Sequence, residues 1–159
     1  MDILAAQQLA NELMELHGAK ALGFRFAWNK RRKAAGLCSY RDKTIYLSWL
    51  LVQHSHENEV KDTILHEIAH AHTKGHKHDH VWVAKAKEIG CTGIRCYSSN
   101  TKPGTHSGMR ILAKYKAVCI NGHESFKNRM PTRKHACGIC CKGVWNEKYV
   151  FEYKLNYNH

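Results

Sequence analysis

Five consecutive residues, His66-Glu67-Ile68-Ala69-His70, limit this chain more than any other stretch. On a helix, positions i and i+4 differ by about 40° in direction and about 6 Å in rise. Both imidazoles then face one space and can share one Zn²⁺. Glu67 neighbours the first of them, so it stands beside the ion without binding it. Zinc lowers the pKa of its water toward about 7, and a carboxylate at Glu67 can take the proton. The reaction class this implies is metal-assisted hydrolysis of a peptide bond. The pattern sits in a strong helical segment, 58–74, with Val60, Ile64, Leu65, Ile68 and Ala69 on its apolar side and Gly75 to end it.

A catalytic zinc takes three protein ligands and keeps one position open. Six histidines fall between residues 66 and 80. His72 projects elsewhere on the same helix, whereas His76, His78 and His80 follow the Gly75 turn and can swing back. Spacing does not choose among these three.

The stretches Leu65–His72 and Gly75–Trp82 resemble the SprT-like family, which includes bacterial SprT proteins, phage proteins and the eukaryotic Spartan protease. Its members carry H-E-x-x-H followed by H-G-x-x-[FW], whose histidine is the third ligand. Counting back four residues from Trp82 gives His78, with Asp79 in place of the glycine. The resemblance therefore implies a catalytic zinc on His66, His70 and His78 with Glu67 as general base. Trp82 itself reads as core packing. Trp28, the basic run 30–33, Ala35–Cys38 and Ile45–Ser48 are similar to the strand region ahead of the family's active-site helix.

The rest of the chain fits an α+β fold. Residues 3–17 read as a helix with Ile3, Leu4, Leu9, Leu13 and Leu16 on its apolar side. Phe24, Phe26 and Trp28 alternate with Arg25 and Ala27, and with 37–41 and 44–47 they suggest a short antiparallel meander. Residues 48–56 can open a helix, and 81–89 form another. Residues 91–108, rich in Gly, Ser, Thr and Asn, read as a loop and a boundary. The expected architecture is a zincin-like SprT metalloprotease domain over 1–108 and a C-terminal β zinc ribbon over 109–159. Tyr149, Phe151, Tyr153 and Leu155 suggest a final strand.

Seven cysteines are an odd number, so a complete internal disulfide framework is impossible. Cys119-x3-His123 and Cys137-x2-Cys140 form two ligand pairs, which predicts a structural Zn²⁺ in a region too small to build its own core. Cys141 competes with Cys140 on spacing alone. Cys38 suits a buried apolar position, and Cys91 and Cys96 read as plain thiols.

The net charge is +12. Residues 110–159 hold ten Lys or Arg against three Glu, interleaved with Phe126, Trp145, Tyr149 and Tyr153. Positive charge with aromatics suits single-stranded nucleic acid, with Lys127, Arg129, Arg133, Lys134 and Trp145 as candidate contacts. The family resemblance implies a DNA-dependent protease acting on DNA-crosslinked proteins. The rivals are a non-enzymatic zinc-containing DNA-binding or regulatory protein and a peptidase for free proteins. The absence of an 18-residue apolar run excludes a membrane helix. Acidic residues at the start are wrong for a secretory signal, so a cytoplasmic location is expected, with a monomer as the default state.

Overall fold

In the computed structural model, residues 1–93 and 110–156 are described. The chain divides into two compact units, Met1–Arg95 and Cys96–His159. The loop and boundary expected over 91–108 lie outside the described residues from 94 onward. Together the units give a mixed α+β architecture with two small sheets.

The first unit begins with α1 (Ile3–Leu16), capped by the Asp2 carboxylate, which accepts from the Ala5 N–H at 3.0 Å. Strands β1 (Arg25–Asn29), β2 (Gly36–Ser39) and β3 (Thr44–Ser48) follow. After the short α2 (Trp49–Val52) come α3 (Glu57–His72) and α4 (His80–Glu88). The Glu59 carboxylate accepts from the His56 N–H at 3.0 Å and closes the start of α3. Its end falls at Thr73, before the expected Gly75, where the Thr73 hydroxyl turns back onto the Ala69 carbonyl.

Two expectations need correction. The sheet is mixed, in the order β1-β3-β2, with β1 and β3 parallel and β2 antiparallel to β3. A meander would pair β1 with β2. Residues 30–35 are too many for a tight hairpin and long enough to cross two interstrand spacings, about 10 Å, to the far side of β3. Strand β3 takes the middle place and is buried at four of its five residues. The second correction concerns α1. Its buried residues are Ala6, Ala10, Leu13 and Met14, while Leu4 and Leu16 are three-quarters exposed. Helix α1 packs against α3, with both alanines fully buried. One core joins these helices to Phe24, Ile45, Leu47, Val60, Ile64, Ile68 and Trp82.

The second unit has β4 (Tyr115–Val118), β5 (Glu124–Lys127), the four-residue α5 (Gly138–Cys141), a 3₁₀ turn (Glu147–Tyr149) and β6 (Lys154–Leu155). Its sheet is antiparallel in the order β5-β4-β6. The expected strand over 149–155 shrinks to two residues. Tyr149 belongs to the 3₁₀ turn, and Val150 makes an isolated bridge to Ala136. A second buried cluster consists of Ala117, Cys119, Cys137 and Phe151.

Candidate metal centres

Helix α3 carries the first site. Val60, Ile64, Leu65, Ile68 and Ala69 are all buried and fix the helix's rotation. That rotation turns His66 and His70 to the side where the 73–79 turn returns. The Asp79 carboxylate anchors the turn by accepting from the Val81 and Trp82 N–H groups at 3.1 and 3.2 Å, capping α4. His78 is thereby held over α3. Its Nε2 lies 3.1 Å from His66 Nε2 and 3.2 Å from His70 Nε2. A tetrahedral ion with Zn–N bonds of about 2.0–2.1 Å sets its nitrogen ligands about 3.3–3.4 Å apart. The three rings thus converge at close to the separation zinc demands.

The surroundings keep these rings neutral. Burial, then the charge of His70 and His78, pulls His66 down to about 3; burial, then His78, pulls His70 down to about 4. Neutral imidazoles offer lone pairs to a cation. The His76 backbone lies within hydrogen-bonding reach of the His70 ring and orients it. Trp82, fully buried, packs on all three rings, with centroids 4.5, 5.2 and 4.6 Å from those of His66, His70 and His78.

The structure separates the three histidines that spacing left open. His76 Nδ1 pairs with the Asp79 carboxylate at 2.8 Å, and His80 opens α4 as an exposed residue. Among the described residues, the cluster fit for a metal on this unit holds His66, His70 and His78.

Glu67 is buried, and burial pushes its carboxyl up to about 8 against the opposing hydrogen bond of the Cys38 N–H. The same burial, with the Glu67 charge behind it, raises the Cys38 thiol to about 12. A carboxyl with its pKa near neutrality can both take and return a proton. Gly36, Cys38 and Tyr40 were not among the candidate site residues, yet all three touch this centre. A Cβ at Gly36 would collide with Glu67, and the Tyr40 hydroxyl donates to the His70 carbonyl. The available signal was a glycine directly before the 37–41 strand pattern, a place where the backbone can be closely approached.

The second unit gathers Cys119, His123, Cys137 and Cys140. Gly122, at φ +79°, makes the turn that brings His123 around to Cys119. His123 Nδ1 lies 3.5, 3.6 and 3.3 Å from the sulfurs of Cys119, Cys137 and Cys140, and the Cys119 and Cys140 sulfurs are 3.8 Å apart. Tetrahedral zinc with Zn–S of about 2.3 Å and Zn–N of about 2.0–2.1 Å has S···N edges of about 3.6 Å and S···S edges of about 3.8 Å. The set is compatible with a zinc ribbon. Burial works to raise the Cys119 thiol, but hydrogen bonds from the Asn121 and His123 backbones and from the His123 and Cys137 side chains outweigh it and bring the thiol down to about 7. Cys141 is directed to the Asn146 carbonyl, 3.9 Å away.

The candidate nucleic-acid contacts are on the second unit. Arg129, Arg133 and Trp145 are exposed, Lys127 is half-buried at the end of β5, and Lys134 is engaged by Glu147 at 2.7 Å. Among the described residues, no helix is long and apolar enough to cross a membrane.

No curated protein and no solved structure matches the chain. The model of the SprT-like family matches residues 6–105, a span that holds every described residue of the histidine centre. The family is associated with zinc metallopeptidase-type domains. With that match over more than half of its length, the chain belongs to the SprT-like family.

Proposed function

We propose that this chain is a zinc-dependent metallopeptidase of the H-E-x-x-H type that acts on DNA-bound or DNA-crosslinked proteins. The observation that carries the peptidase reading is the convergence of three imidazole nitrogens beside one buried carboxylate. His66, His70 and His78 would hold the catalytic ion, and Cys119, His123, Cys137 and Cys140 a structural one. Zinc, when bound at the histidines, supplies a Lewis acid that polarises the scissile carbonyl and acidifies water, and its charge favours the ionised form of Glu67. Glu67 accepts the proton of the attacking water and later delivers it to the leaving amine. Burial raises its carboxyl and the charge of a bound ion would lower it, so the two act on this group in opposite directions. The substrate chain would lie extended along an edge strand of the first sheet, where backbone pairing gives loose sequence preference.

The excess of basic residues beyond 110, with Arg129, Arg133 and Trp145 open to solvent, supports a polyanionic partner. Single-stranded DNA is the favoured form, in keeping with the resemblance to Spartan-like members. Catalysis needs an open metal position, which a fourth protein ligand would close. The pairing of His76 with Asp79 leaves three histidines in the cluster, which favours a catalytic centre over a purely structural one.

The test is Glu67→Gln, assayed for zinc and for cleavage of a DNA-binding protein in the presence and absence of single-stranded DNA. The variant should retain zinc and lose about 10²–10⁴-fold in turnover. Wild-type turnover by a zinc-loaded Glu67→Gln protein would show the mechanism to be wrong. Equal cleavage with and without DNA would leave a peptidase for free proteins.

A further inference from the structure

Gly36 lies in β2 without the positive φ that makes glycine necessary at a turn. Its requirement is spatial. A Cβ at this position would sit 2.6 Å from both Cγ and Oε1 of Glu67 and 2.9 Å from Cδ, closer than real Cβ atoms come to any neighbour. The obstacle is not a free side-chain end that can move aside, because Glu67 is buried. Two residues further along the strand, the Cys38 backbone N–H stands near enough to the Glu67 carboxyl to work against the rise that burial causes. One short strand therefore offers the gap: glycine admits the carboxylate against the backbone, beside a main-chain amide two residues on.

We infer that β2 is a positioning element for the reaction, with Gly36 setting where the Glu67 carboxylate stands relative to the three histidines. This inference rests on the peptidase reading of Glu67. It goes beyond that reading by assigning a role to a residue with no functional group. Gly36 is a positioning residue that acts through Glu67, since it offers no atom to metal or substrate. The three ligating side chains come from α3 and the turn after it, so a change at Gly36 displaces the base without removing a ligand.

The experiment uses the full chain and reads zinc content, steady-state kinetics and thermal unfolding. Gly36→Ala should keep both zinc ions, lower kcat about 100-fold or more, and leave KM within about threefold, because a base misplaced by about 1 Å loses its catalytic contribution while substrate contacts remain. A zinc-loaded Gly36→Ala protein that turns over within about threefold of wild type overturns the inference and leaves the peptidase reading intact. A wild-type protein that cleaves nothing overturns both.

Unfolding supplies a readout independent of activity. Gly36→Ala should lower Tm by several degrees when Glu67 is present and change it little in a Glu67→Ala background, where the colliding atoms are gone. An equal drop in both backgrounds shows that Glu67 is not what the glycine accommodates, and the inference fails. If Gly36→Ala alone does not fold, recovery of folding in the double variant supports the inference, and continued failure to fold overturns it.

Discussion

The two clusters of potential metal ligands stand in opposite relations to the residues around them. His66 and His70 rise from a helix whose other face is already packed into a core containing Met14, Ile45, Leu47, Ile64 and Ile68. Trp82 then closes the underside of the three rings. Packing builds that site. In the second unit the buried cluster is Ala117, Cys119, Cys137 and Phe151, so two of its four members are themselves candidate ligands. There the site builds the packing. The difference suggests where each unit would draw its stability: the first from apolar burial, the second from an ion held by its four candidate ligands.

Removal of metal is the strongest way to break this comparison. A structural zinc contributes about 10–16 kcal/mol of apparent binding free energy at neutral pH, and a four-residue cluster cannot replace that. Chelation, or Cys137→Ser in the full chain, should unfold the second unit and leave α1, α3 and α4 folded. Amide hydrogen exchange read segment by segment would show it. Protection that survives in β4 and β5 without zinc would mean that the second unit has a core of its own.

Next in size is the loss of a large core side chain. Trp82 is fully buried, whereas Ile139, an apolar residue between two candidate ligands of the second unit, is 41% exposed. Trp82→Ala should cost about 3–5 kcal/mol and weaken zinc binding at the histidines, whose rings lose their support. Ile139→Ala should change stability by less than about 0.5 kcal/mol. Chemical denaturation of each variant with zinc present sharpens the contrast. A larger loss from Ile139→Ala would reverse the assignment of packing and coordination to the two units.

How much of this could be read from the sequence depended on what kind of signal each element gave. Helix α3 was legible because its apolar residues repeat at helical spacing and its ligand pair shares that period. The buried face of α1 is legible in part: Leu13 is buried and Ile3 and Leu9 pack against the core, but a pattern of large apolar residues passes over Ala6 and Ala10. Leu4 and Leu16 are exposed, while Ala6 and Ala10 are fully buried. The order β1-β3-β2 was not legible, since alternation marks the faces of a strand and says nothing about its neighbours. The same limit applied to 149–155, where an alternating pattern spans a 3₁₀ turn and a two-residue strand. Spacing could not select His78 over His76 or His80. The selection depends on Asp79, which caps α4 and pairs with His76 at the same time.

The smallest expected effect probes the first unit at a polar contact. The Tyr40 hydroxyl donates to the His70 carbonyl, which also accepts from the Thr73 N–H at 3.0 Å at the end of α3. One hydrogen bond of this kind contributes about 0.5–1.5 kcal/mol net. The carbonyl keeps its other partner in Tyr40→Phe, so no buried acceptor is stranded. If packing builds this site, Tyr40→Phe should lower stability by about 1 kcal/mol and weaken zinc at the histidines by less than about tenfold. The second unit's hydrogen exchange should not change. Denaturation and competition with a chromophoric chelator measure these quantities. A loss as large as that of Trp82→Ala would place the centre's support in a single polar tie between β2's end and α3, and the contrast with the cysteine site would narrow to two centres held by a few specific bonds.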